Sequence, residues 1–240
     1  MTDPIFLKDA YQREAQSRVT GHTAEGGIVM ASSIFYARSG GQPGDAGALD
    51  WQGGRIEIAT TVKGQGDDIV VVPAEPAPLP PVGTVVTQRL AWERRHRLMR
   101  VHTALHLLSV VIPLPVTGGQ IAVDKGRLDF DMEHAPDHRD AIDSALNDMI
   151  ARNLAVTAEW ITEETLDAQP DLVKTMSVRP PRGQGHVRLI RIGQGENAVD
   201  LQPCGGTHVG WTCEIGRVRI GKIEKKGRLN RRVYLHLEDE

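Results

Sequence analysis

The hydrophobic period of this chain changes near residue 90 from that of strands to that of a helix, and that change restricts the fold more than any other feature. Before it, RVTGHTA, GIVMASSIFYA, GRIEIATTV, DIVVV and TVVTQRLAW recur at roughly 10–15-residue intervals, broken by Gly-Gly and Gly-Asp turns. The pattern predicts a small antiparallel barrel or sandwich over residues 18–92. PAEPAPLPPVG, at 73–83, concentrates proline and reads as an extended, polyproline-like excursion. Beyond residue 90, Leu98, Val101, Leu105, Leu108 and Ile112 recur at steps of three and four, which predicts a helix ended by Pro113. A second helix is expected over 137–152, with Ile142, Leu146, Met149 and Ile150 as its apolar side and Asp137 and Asp140 at its dipole-positive start. Strands at AVTAEW, HVRLIRI, NAVDLQ, RVRIGKIEK and RRVYLHLE complete an α+β chain. The expected organisation is a glycine-rich antiparallel β-barrel domain over 1–90 and a two-layer α/β domain over 91–240.

Composition removes several functional classes. A formal net charge of −3 excludes a strongly basic chain, so nucleic-acid binding would need a local patch. No run approaches the length of a membrane-spanning helix. The N-terminal MTDPIFLKDAYQREAQ has an early acid and no apolar core, so no secretory leader is expected. Two cysteines, Cys204 and Cys213, cannot form a disulfide framework in a chain of 240 residues. Free thiols or a metal ligand, in a reducing cytoplasm, fit better.

His102 and His106 stand four apart beside the apolar stripe of the predicted helix, so both rings can meet one ion. Alone, the pair fits equally well as two core histidines, each satisfied by a neighbour. Cys204 and His208, in QPCGGTHVGWTCEIG, are also four apart, but Gly205 and Gly206 oppose a long helix and favour a tight turn folding imidazole back toward thiol. Separately, these are an inert buried thiol and a turn histidine bonded to the backbone. Together the two pairs make three imidazoles and one thiolate, a donor set suited to zinc. Cys213 has no partner at a useful spacing and reads as structural.

HTALHLL with CGGTHV resembles the zinc signature of the alanyl-tRNA editing domain, found inside alanyl-tRNA synthetases and in freestanding AlaX-type editing proteins. SSIFYARSGGQPGDAGAL (32–49) resembles the glycine-rich motif of that family's N-terminal barrel, and IEKKGRLNRRV (223–233) its closing hairpin. TGGQIAVDKGRLDFDM (117–132) resembles the segment that brings a glutamine into the editing pocket, which points to Gln120. The matches keep their order over 32–233, and without an aminoacylation domain the chain resembles the medium-length AlaX class. Ser33 stands where the family more often has Thr, Ala37 where Pro is usual, and Cys213 where Gly is common.

The resemblance implies a threonyl/alanyl-tRNA synthetase editing-type fold and a zinc ion on His102, His106, Cys204 and His208. It implies a trans-editing hydrolase that deacylates Ser-tRNA(Ala), and Gly-tRNA(Ala) as a further target. Such an enzyme answers a selectivity problem: an alanine pocket rejects an added hydroxyl by only about two orders of magnitude. Ser33, Gly40, Gly41, Gln42 and Gln120 are the expected substrate-binding residues, with Gln120 and His208 catalytic. His208 enters because four permanent ligands would close the site, and closed sites are usually structural. The alternatives are a catalytically silent tRNA-binding module with a structural zinc, and editing of another misacylated tRNA. ERRHRLMR (93–100), RPPRGQGHVR (179–188) and KIEKKGRLNRR (222–232) are candidate phosphate contacts or solvated faces. The expected protein is cytoplasmic, without a membrane partner, and a monomer or homodimer.

Overall fold

A computed structural model describes residues 1–136, 138–169, 172–173 and 185–238. Asp137 and residues 179–184 of the basic run lie outside the described residues. The chain divides into two compact units, Met1–Arg97 and Leu98–Glu240.

The first unit holds β1 (Asp3–Pro4), β2 (Glu14–His22), β3 (Ile28–Met30), β4 (Ser32–Ser33), β5 (Gly47–Trp51), β6 (Gly54–Lys63), β7 (Ile69–Pro73) and β8 (Val85–Leu90). Six of these close into an antiparallel barrel of order β2-β3-β7-β6-β5-β8, with β8 returning to β2. Closure resolves the barrel-or-sandwich alternative and removes exposed strand edges. Alternation drives it: Ile56 and Ile58 of β6 point into a core with Val19, Met30, Leu49, Val71 and Val86, while Arg55 and Glu57 face solvent and pair with each other.

Two details depart from the sequence reading. GALDW forms β5, although nothing in the sequence marked it as a strand. Ile34, Phe35 and Tyr36 fill core positions without joining the sheet. Side chains replace the missing strand partner: Gln88 Oε1 accepts from Ile34 N (3.0 Å), Ser33 Oγ from Phe35 N (3.1 Å) and Asp45 Oδ2 from Tyr36 N (2.6 Å).

In the second unit, α1 (Trp92–Val111, whose first turns belong to the barrel unit) precedes β9 (Val116–Ile121), β10 (Lys125–Asp131), α2 (Arg139–Ala151), β11 (Val156–Thr162), α3 (Glu163–Asp167), β12 (His186–Ile192), β13 (Asp200–Pro203), β14 (Arg217–Lys225) and β15 (Asn230–Glu238). The strands form two antiparallel sheets, β14-β15-β10-β9 and β11-β12-β13. In β15, Val233, Leu235 and Leu237 turn inward at every second residue. Helix α1 begins at Trp92 rather than Leu98, and lies close on β10 because residue 126 is glycine. A Cβ there would stand 2.7 Å from Val101 Cγ1 and 2.8 Å from Leu105 Cδ1. The β9–β10 hairpin escaped the sequence reading because Gly118 and Gly119 interrupt its strand pattern. No helix among the described residues is long and apolar enough to cross a membrane.

Candidate metal centre

Every residue of α1 from Val101 to Ser109 is buried, so the helix is sunk in its unit rather than laid on it. His102 and His106, expected at the border of the apolar face, are therefore interior, at 8% and 7% exposure. Burying imidazoles in an aliphatic interior is costly unless each polar atom finds a partner. Here the partners are one another and the irregular loop after β13, which carries Cys204 and His208.

One ligand atom from each of His102, His106, Cys204 and His208 lies within 4.8 Å of the others. Cys204 Sγ stands 3.5 Å from His102 Nε2 and 3.3 Å from His208 Nε2. Metal–sulfur and metal–nitrogen bonds of about 2.3 and 2.0–2.1 Å at a tetrahedral angle give an edge of about 3.5 Å, so the spacing fits a four-coordinate cation. The ring centroids of His102 and His208 are 4.2 Å apart, and those of His106 and His208 4.6 Å.

The surroundings select which nitrogen faces the centre. Thr103 donates its hydroxyl to Met99 O (3.0 Å), so its oxygen accepts from His208 Nδ1 (3.2 Å) and from Val209 N (3.3 Å). His208 thus carries its proton on Nδ1 and turns the Nε2 lone pair toward the thiol. His106 Nδ1 donates to Asp200 Oδ2 at 3.1 Å. Arg188 clamps the loop, donating from Nη1 to Cys204 O (3.0 Å) and Gly206 O (2.8 Å), while its own carbonyl accepts from Cys204 N (3.0 Å). Gly206 N points at Cys204 Sγ, 3.4 Å away.

The electrostatics follow. Burial alone would raise the Cys204 thiol, but the fields of His102 and His208 and hydrogen bonds from His102 and His106 hold it well below its ordinary value. Burial and the neighbouring His102 push His208 well below the usual imidazole range. Burial also opposes charge on His106, yet hydrogen bonds to Asp200 and Cys204 outweigh it and raise the group to about 9. In the metal-free protein a thiolate and a neutral His208 are therefore ready to bind, and His106 holds a proton to be displaced. We expect metal uptake at pH 7.5 to release protons, that of His106 among them, with affinity rising as pH approaches about 9. Calorimetry in buffers of different ionisation enthalpy reads that release directly. The sign for stability is opposite: in the metal-free protein the His106 charge contributes fully below the unfolded value of about 6.5 and is lost as pH rises through about 9.

The other expected site residues are placed less simply. Gln120, exposed on β9, accepts at Oε1 from Arg127 Nε (3.2 Å). Ser33 and Gln42, read as substrate-binding, are fully buried. The Ser33 hydroxyl is engaged locally, accepting from Phe35 N and donating to Phe35 O at 3.3 Å, and so closes a turn. Gly40 and Gly41 are exposed, with φ of +54° and +83°, between Ser39 and Gln42, which exchange backbone hydrogen bonds. Positive φ at both central positions is the requirement of a type I′ hairpin, and it explains the Gly-Gly pair. Cys213 is exposed and outside the cluster. Sequence reasoning missed Thr103, Arg188 and Asp200. Thr103 lies inside the quoted HTALH, but neither its contact with His208 nor the Asp200–His106 bond has a sequence signature, because both join residues about a hundred positions apart.

Comparison with known proteins bears on the same residues. Residues 187–234 match the family model described as the threonyl and alanyl tRNA synthetase second additional domain. The chain is 33% identical over 251 residues to an alanyl-tRNA editing protein AlaX-M of Methanosarcina barkeri, covering all of both chains. It is 30% identical over 240 residues to an AlaX-M of Saccharolobus solfataricus, covering 98% of each. It is also 32% identical over 232 residues to an alanine–tRNA ligase of Caldivirga maquilingensis, covering 93% of this chain and 25% of the ligase.

Proposed function

Since the chain belongs to the AlaX-M family of alanyl-tRNA editing proteins, we propose that it hydrolyses the ester linking serine, and also glycine, to the 3′ end of tRNA(Ala). The observation that carries this reading is the convergence of His102, His106, Cys204 and His208 in a chain that aligns end to end with editing proteins. The metal we assign is zinc, on the chemistry of a three-nitrogen, one-sulfur donor set. Bound there, zinc supplies a Lewis acid that can polarise an ester carbonyl or orient the amino acid.

The side chains have separable tasks. His208, fixed by Thr103 at Nδ1, would hold the metal through Nε2 in the resting protein, and only when displaced from it does that nitrogen become the base that accepts a proton from the attacking water. Gln120, its carbonyl oxygen engaged by Arg127, offers its NH₂ as the donor that positions the seryl group or the water. In the barrel unit, the exposed Gly40–Gly41 turn is proposed to contact tRNA through its backbone, with Ser33 and Gln42 shaping the segment from beneath. The basic hairpin β14–β15 contributes phosphate contacts, which makes binding salt-sensitive. A cytoplasmic setting follows from the location of tRNA charging.

The test is direct. Zinc-loaded protein incubated with Ser-, Gly-, Ala- and Thr-charged tRNAs is expected to deacylate Ser-tRNA(Ala) and Gly-tRNA(Ala), to spare Ala-tRNA(Ala), and to stop on addition of a chelator. Intact Ser-tRNA(Ala) would favour a silent binding module. Gln120→Ala is expected to keep its zinc and lose roughly 10²-fold in single-turnover rate, the scale of removing one positioned donor. A variant that keeps its rate removes Gln120 from the mechanism.

A further inference from the structure

Behind His106 lies a closed ring of hydrogen bonds that the proposed chemistry does not use. His106 Nδ1 donates to Asp200 Oδ2 at 3.1 Å, and the Gln202 amide donates to the same oxygen at 2.8 Å. Gln202 Nε2 also reaches Ser109 Oγ (3.3 Å), and that hydroxyl donates to His106 O at 2.7 Å. All four residues are buried, Asp200 to 4% exposure, and the ring ties α1 to β13 one strand before the cysteine loop.

We infer that Asp200 is a positioning residue that locks His106 with its proton on Nδ1 and its Nε2 lone pair turned to the metal, and that Gln202 and Ser109 hold the carboxylate in that orientation. Three features support it. First, the geometry leaves His106 one way to serve as a ligand: Nδ1 is committed to a carboxylate, which also raises the donor strength of Nε2. Second, a buried divalent cation with one thiolate and three neutral imidazoles leaves an excess positive charge in the interior, which Asp200 offsets. Third, Gln202 is itself buried at 6% exposure, and its amide restrains a carboxylate that could otherwise rotate away. The spacing is compact in sequence, since Asp200 and Gln202 share the buried face of β13 and Cys204 follows directly after that strand.

The inference rests on the reading of the four residues as a metal site, and the experiment separates the two. Zinc affinity is measured by competition with a chromophoric chelator for the wild-type protein and for Asp200→Asn, which preserves shape and an acceptor but removes the charge. The Asn variant is expected to bind zinc about 10–100-fold more weakly, with far-ultraviolet circular dichroism unchanged. Long-range ¹H–¹⁵N spectra of the zinc-loaded wild type are expected to place the His106 proton on Nδ1. An Asn variant within twofold of wild type, or a His106 proton on Nε2, overturns the inference and leaves the metal site standing. Wild-type protein that takes up no zinc overturns both.

Discussion

Replacing His106 with alanine is expected to abolish stoichiometric zinc uptake and to slow deacylation of Ser-tRNA(Ala) by about 10³-fold or more. The size follows from what is lost: a Lewis acid supplies several kcal/mol in the transition state, at about 1.4 kcal/mol per tenfold in rate. His106 is the ligand to choose because it is interior and because its loss strands Asp200, a buried carboxylate left without its imidazole donor. Metal analysis and single-turnover kinetics on the same preparation check both halves. Full zinc content in the variant would refute the ligand assignment, while zinc loss without rate loss would make the site structural.

The largest effect on stability is expected in the barrel unit, at Arg95. Its guanidinium is fully buried and donates to Asp45 Oδ2 (2.8 Å from Nε, with Nη2 bonded as well), to Ile34 O (2.7 Å) and to Ala10 O (3.0 Å). Asp45 is 1% exposed, and its Oδ1 has no hydrogen-bond partner among the described residues, so Arg95 neutralises a charge with little other support. Arg95→Met leaves that carboxylate buried and uncompensated, which costs about 3–5 kcal/mol. For a unit of this size the barrel transition should fall by more than about 10 °C in calorimetry. Adding Asp45→Asn, which removes the charge and keeps an acceptor for Tyr36 N, is expected to recover much of the loss. Equal melting of single and double variants would mean that packing, not charge, is what Arg95 contributes.

Arg95 also illustrates what a sequence conceals. In ERRHRLMR it reads as one cation of a solvated run, and nothing local distinguishes it from Arg94, which donates to Gly44 O at 2.9 Å from a half-buried position. What separates them is a carboxylate fifty residues away. The convergence of His102, His106, Cys204 and His208 was legible for the opposite reason. Histidine and cysteine carry specific coordination chemistry, and two pairs of matching spacing form a pattern even across a long separation. The barrel was legible through alternation and turn glycines, whereas β5 and the β9–β10 hairpin were not, because their registry is fixed by neighbours rather than by their own composition. At Ser33 the residue type leaves two roles open: a hydroxyl suited to recognising serine is equally suited to closing a turn, and in this structure it is buried and bonded within its own turn.

The most direct test of the central claim is X-ray absorption at the zinc edge of reconstituted protein, read beside its metal content. One zinc per chain with three nitrogen neighbours at about 2.0–2.1 Å and one sulfur at about 2.3 Å is the expected result. A first shell without sulfur, or with light oxygen donors in place of the imidazoles, would show that His102, His106, Cys204 and His208 do not hold the ion.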